Sequence, residues 1–111
     1  MCGITGHINF SSKNKLDQNT LNTMISSMKH RGPDDDGSYI HNHSQIGMRR
    51  LSIIDTLNGA QPISSEDNQV VIVMNGEIFN YQKLKDILIN DGQRFKTNSD
   101  TEVLLKLYIK F

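Results

Sequence analysis

The chain has 111 residues, 36% of them hydrophobic and 22% charged, which suits one soluble globular domain with one core and excludes a disordered polar tail. Lys+Arg and Asp+Glu number 12 each, giving a formal net charge of zero, so the basic excess of a nucleic-acid binder is absent. No apolar run is long enough to span a bilayer. The N-terminus also lacks the basic start and apolar core of a signal peptide, so the expected location is the cytoplasm, with no membrane partner.

Gly3 to Phe10 alternates loosely and predicts a first strand. Leu21, Met24, Ile25 and Met28 recur at helical spacing, predicting an amphipathic helix over Asp17 to Lys29. His30-Arg31-Gly32-Pro33 reads as its stop: cations at the C-terminus, Gly for a left-handed cap, Pro beyond. Asp34 to Gly37 reads as a loop. Ser38 to Ile40 and Gln45 to Ile54 read as strands joined by a turn at His41-Asn42-His43-Ser44. Asp55 to Asn68, polar and carrying Gly59 and Pro62, reads as a long connection.

The β-branched run Val70 to Met74 predicts a buried strand, and Asn75-Gly76 behind it is a strong hairpin-turn signal. Asn80 fits the N-cap of a helix running to about Asp91, with Leu84, Ile87 and Leu88 on one face and Gly92 at the C′ position. Ser99-Asp100-Thr101-Glu102 matches a capping box. The stripe Val103, Leu104, Leu107, Tyr108 and Phe111 follows it and stops in mid-pattern, which reads as a truncation.

The residues that can carry chemistry are few. Cys2 is the one cysteine, so an intramolecular disulfide is excluded. Loss of Met1 would make it the first residue and place a free α-amino group, titrating at about 7.7–8, on the same residue as the thiol. A nucleophile and its base would then share one residue; the alternative is an inert cysteine. Asn75 and Gly76 form either a plain turn or an oxyanion hole, made of a side-chain amide and an unobstructed backbone N–H. Arg49 and Arg50 are neighbours on a predicted strand, so only one can face a site. Arg50 could grip a carboxylate through paired hydrogen bonds or lie solvated outside.

Glu77 and Asp100 are candidate partners for an ammonium. Asp100 is equally explained by the helix dipole, and the His30 to Asp36 loop by its turn. His41 and His43 would share a strand face, yet no further ligand stands at matching spacing, so no metal site is expected. No phosphate-binding loop of the G-x-x-x-x-G-K-[ST] type occurs.

Taken together, Met1-Cys2-Gly3-Ile4, His30-Arg31-Gly32-Pro33-Asp34, Arg50-Leu51-Ser52-Ile53-Ile54-Asp55, Gly59-Ala60-Gln61-Pro62, Asn75-Gly76-Glu77-Ile78-Phe79-Asn80 and Ser99-Asp100-Thr101-Glu102 resemble the N-terminal glutaminase domain of glutamine-hydrolysing asparagine synthetases. These are class II glutamine amidotransferases, within the N-terminal-nucleophile hydrolases. A related amidotransferase of secondary metabolism or of cell-surface sugar pathways is the alternative within that branch.

The resemblance implies an α+β fold: an αββα sandwich of two antiparallel sheets between helices. Residues 1–111 would be its N-terminal part, incomplete at the C-terminus. It further implies that Cys2 attacks the side-chain amide of L-glutamine, with Asn75 and Gly76 as the oxyanion hole. Arg50 would hold the α-carboxylate, Glu77 and Asp100 would receive the α-ammonium, and the Leu51, Ser52, Ile53 and Ile54 backbone would line the pocket.

No cofactor is implied for this chain, since ATP and Mg2+ belong to the absent synthetase domain. A separate chain could supply that domain and the rest of the glutaminase. By itself the chain would make no asparagine. A non-catalytic remnant is the reading from a different class, and a metal or redox protein built on Cys2 and the histidines is a third.

Overall fold

The computed structural model describes residues 1–11 and 16–111. Its elements are β1 (Gly3–Ile8), α1 (Gln18–Ser27), β2 (Asp35–Ile40), β3 (Ser44–Arg50), β4 (Ile63–Ser64), β5 (Val71–Ile72), α2 (Tyr81–Asn90) and α3 (Asp100–Lys110). The chain is thus mixed α and β with antiparallel sheets. One sheet has the order β1-β3-β2 and the other pairs β4 with β5. In the first, β3 is central: Gly3 faces Arg49 across one ladder and Asp35 faces Arg50 across the other. Among the described residues no helix is long and apolar enough to cross a membrane.

Helix α1 starts where Asp17 accepts the Thr20 N–H at 2.8 Å, satisfying one of the amides that a helix start leaves unpaired. Its buried residues, Leu21 and Ile25, lie one helical turn apart. A Cβ on Gly47 would sit 2.5 Å from Ile25 and one on Gly3 2.9 Å from Met28, so these two glycines let the helix settle onto the sheet. Burying Leu21 and Ile25 is worth about 1.5–3 kcal/mol each before entropy is charged. On the other side of the chain Leu88, Val103 and Leu105 are buried. There α3 packs against α2, β4 and β5.

Several expectations need correction. Gly32 is not a left-handed cap, because the only glycine with positive φ among the described residues is Gly92. Gly32 is required instead by a close approach: a Cβ there would lie 2.4 Å from the Arg49 carbonyl carbon. Asp35 to Gly37 belong to β2 rather than to a loop, since β3 offers them partners as far as Arg50. The second long strand ends at Arg50 and does not reach Ile54. Within Val70 to Met74 only Val71 and Ile72 pair, and all five residues are half-buried.

Asn75-Gly76 makes no hairpin. Neither residue has positive φ, and the chain runs on to α2. Asn80 occupies the N-cap of α2 without a side-chain hydrogen bond. Gly92, at φ 88, does close α2 as expected: the Gln93 N–H donates to Leu88 and the Gly92 N–H to Ile89, the double bond of a Schellman end. At α3 the capping box is half realised. Ser99 accepts the Thr101 N–H, but Glu102 turns to Lys96 and Thr97.

Candidate active site

The alternation along β3 divides the two arginines, as the strand geometry requires. Arg49 is structural. Its Nε donates to the Gly32 carbonyl at 2.7 Å, one terminal nitrogen to Asp36 at 2.6 Å, and the other to Pro33 at 3.2 Å. It therefore fastens the segment after α1 to the sheet, which accounts for most of the polar loop from His30 to Asp36. Arg50 turns the other way and lines a cleft. Its Nη2 donates to the carbonyls of Ile54 and Asp55 at 2.7 and 2.8 Å. Nη1 and Nε make no hydrogen bond among the described residues and stay available to a ligand.

The cleft has a volume of about 250 Å³. Cys2, Arg50, Leu51, Ile53, Ile54, Asn75, Gly76, Glu77 and Asp100 all border it, which brings together nearly every residue singled out in the sequence. Ser52 does not line it; its N–H is held by the Asp34 carboxylate at 2.7 Å.

Cys2 sits just before β1, on the same edge as the segment that follows β3. The Leu51 N–H donates to the sulfur at 3.3 Å, and the Arg31 Nε donates to the Cys2 carbonyl at 3.2 Å. Thiol and backbone are both anchored. Met1 also borders the cleft.

Asn75 and Gly76 are exposed at the mouth. They are placed there by a residue that the sequence reading passed over. The buried Gln61 accepts the Met74 N–H at 2.7 Å and donates to Thr101 Oγ1 at 3.0 Å. One side chain thus ties the end of the β5 segment to the first turn of α3. Gln61 also borders the cleft, as do Met74, Ser99 and Thr101. Its signal was present as the Gly-Ala-Gln-Pro segment, but its partners are far along the chain.

Asp100 opens α3 and is nearly buried, at 5% exposure. Oδ2 accepts the Ile78 N–H at 2.9 Å, while Oδ1 has no partner among the described residues. The carboxylate therefore sits in the first turn of α3, where the helix dipole favours it, and borders the cleft with one oxygen unpaired. Glu102, two residues on, is fully occupied within the fold. Its oxygens accept the Lys96 and Thr97 N–H groups and the Thr97 hydroxyl, which fixes the approach to α3. The cleft carries both signs of charge, the guanidinium of Arg50 and the carboxylates of Glu77 and Asp100.

The histidine pair lies elsewhere. The His41 ring stacks beside Tyr39 and His43 Nδ1 lies 3.2 Å from the Asn9 carbonyl. Among the described residues no group of three His, Cys, Asp or Glu side chains converges on a metal position.

Cys2, Asn75 and Gly76 border one cleft with Arg50, Glu77 and Asp100, and residues 1–111 match the glutamine amidotransferase domain family throughout: the chain belongs to that family. Its relatives narrow the branch. It is 47% identical over 110 residues to asparagine synthetase [glutamine-hydrolyzing] 1 of Bacillus subtilis strain 168, covering 97% of this chain and 17% of that protein. The second synthetase of the same strain is 42% identical, over 97% of this chain and 14% of its own length. Asparagine synthetase [glutamine-hydrolyzing] 1 of Arabidopsis thaliana is 34% identical, over the whole of this chain and 19% of its own length. The chain thus spans less than a fifth of these relatives and corresponds to their N-terminal part.

Proposed function

We propose that this chain is the N-terminal part of a glutaminase that hydrolyses L-glutamine to glutamate and ammonia through a thioester on Cys2. One observation carries the reading: Cys2, Arg50, Asn75, Gly76, Glu77 and Asp100, drawn from four separate stretches of sequence, border a single cleft. Removal of Met1, which stands at that cleft beside Cys2, would free the α-amino group as a base.

The substrate's α-carboxylate pairs with the free edge of Arg50, a charge-assisted contact of about 1.5–3 kcal/mol. Its α-ammonium lies between Glu77 and the unpaired oxygen of Asp100. The side-chain amide then reaches Cys2. The amine takes the thiol proton, and the sulfur adds to the amide carbon. The oxyanion is held by the Asn75 side chain and the Gly76 N–H. Return of the proton to the amide nitrogen expels ammonia and leaves the thioester. Water, deprotonated by the same amine, adds to the thioester carbon, and its collapse releases glutamate and restores the thiol.

The N-terminal-nucleophile sandwich is the fold proposed for the whole domain; α1 packing on one sheet and α3 packing against β4 and β5 support it. In the full enzyme the ammonia would pass to a synthetase domain that uses ATP and Mg2+ to make asparagine in the cytoplasm, whether on the same polypeptide or on a partner chain. An electrophilic glutamine analogue followed by intact-mass measurement tests the proposal. Loss of Met1 and one adduct on Cys2, prevented by excess glutamine, is the expected result. A processed chain that never labels would overturn it in favour of a non-catalytic remnant.

A further inference from the structure

We infer that Asp55 is a positioning residue that sets the spacing between the two ends of the amino-acid grip, Arg50 and Asp100. The inference rests on the glutaminase reading and adds to it a residue that touches no substrate atom. Asp55 has φ 46, the left-handed region that non-glycine residues seldom occupy, Asp and Asn more readily than most. In that conformation its backbone carbonyl bonds Arg50 and its side chain bonds the segment leading into α3.

Its carbonyl oxygen accepts Arg50 Nη2 at 2.8 Å, beside the Ile54 carbonyl. Its carboxylate reaches across 43 positions of sequence, where Oδ2 accepts the Asn98 N–H at 2.7 Å. Asn98 stands two residues before Asp100, at the approach to α3. The other oxygen accepts the Asn58 N–H at 3.1 Å and closes the turn.

The Arg50 side is tightly enclosed. The Gly59 N–H bonds the same Asp55 carbonyl at 2.9 Å, and a Cβ on Gly59 would stand 2.4 Å from Arg50 Nη2. The guanidinium has no slack there, so its place follows the turn. The turn in turn is fixed to the start of α3 by one carboxylate bond. Breaking that bond lets the α-carboxylate and α-ammonium partners drift apart, while Cys2, held by Leu51 and Arg31, stays where it is.

The experiment compares two reagents on the processed chain. A diazoketone analogue of glutamine carries the α-carboxylate and α-ammonium, and iodoacetamide carries neither. Asp55→Gly keeps the left-handed turn and removes the tie. It should raise the half-saturation concentration of the analogue about tenfold, with the limiting labelling rate and the iodoacetamide rate unchanged. Asp55→Asn also tolerates the turn and keeps one acceptor, so its rise should be about threefold.

Unchanged half-saturation in Asp55→Gly, or equal slowing with both reagents, overturns the inference. If Asp55→Gly fails to fold, Asp55→Asn decides, and an unshifted half-saturation there overturns it equally. A wild-type chain that neither saturates with the analogue nor is protected by glutamine defeats the glutaminase reading, and this inference with it, before any variant is made.

Discussion

The backbone N–H of Leu51 is aimed at the sulfur of Cys2 from 3.3 Å, although the two residues are 49 positions apart. That bond, with the Arg31 bond to the Cys2 carbonyl at 3.2 Å, leaves the thiol little freedom to turn from the cleft. If this sulfur is the nucleophile, Cys2→Ser keeps a group of similar shape with far weaker nucleophilicity. The expected result is loss of glutamine-dependent ammonia release by on the order of 10³-fold or more, with the thermal midpoint nearly unchanged. Ammonia-release kinetics beside a melting curve check it. Retained turnover in the Ser variant would move the nucleophile elsewhere.

Asn75 is exposed at the mouth of the cleft, so its removal should cost little stability. If it is one of two donors to a developing oxyanion, as proposed, it should matter to rate far more than to binding. Asn75→Ala is expected to lower kcat by about 10²–10³-fold with KM for glutamine changed little. Steady-state kinetics decide between this and a binding role, which would raise KM and spare kcat.

Periodicity in the sequence found the helices and part of their buried faces: Leu21 and Ile25 on α1, Leu88 on α2 and Val103 on α3 are buried, whereas Ile87, Tyr108 and Phe111, expected on the same stripes, are exposed and Leu105, outside the expected stripe, is buried. It also separated Arg49 from Arg50, because strand alternation alone requires opposite faces. What periodicity could not reveal were bonds whose second partner is a distant backbone amide. Asp55 reads as the start of a polar connection, and nothing local announces Asn98. Gln61 sits in a recognisable segment, yet its two partners lie just past a strand and on a helix, 13 and 40 positions away. Gly32 was misread for a related reason. Its neighbours suggested a helix cap, whereas the constraint comes from the Arg49 backbone pressing on it across space.

The start of α1 should be sensitive to acid. The Asp17 carboxyl is held below its ordinary value of 3.8, first by the Thr20 backbone N–H and then by the Thr20 hydroxyl. A depressed carboxylate favours the folded form when charged. Its contribution is fully present above 3.8 and is lost as pH falls through the lower, folded value. Protection of the Thr20 amide from hydrogen exchange, corrected for intrinsic rate, should therefore fall on acidification below that range. Asp17→Asn should flatten the dependence. A wild-type profile as flat as the variant's would remove the carboxylate from the capping role.

Gln61 offers the sharpest separation of scaffold from chemistry. Its side chain is buried and satisfied at both ends, by the Met74 N–H and the Thr101 hydroxyl. Gln61→Met keeps length and volume but strands both partners without a bond. Each unsatisfied buried group costs about 1–3 kcal/mol, so denaturant unfolding should register a loss within that range or somewhat above it. Stability alone would not connect the residue to the site. The connection lies in Met74, which directly precedes Asn75 and Gly76. Freed from Gln61, that segment can shift, and a displacement of about 1 Å at a catalytic donor can cost roughly 10²-fold in rate. Glutamine hydrolysis by the folded fraction of Gln61→Met is therefore expected to fall in kcat with KM close to wild type, the same signature as Asn75→Ala, and the double variant should lose less than the product of the two effects. Full additivity would mean that Gln61 supports the fold without placing the oxyanion donors.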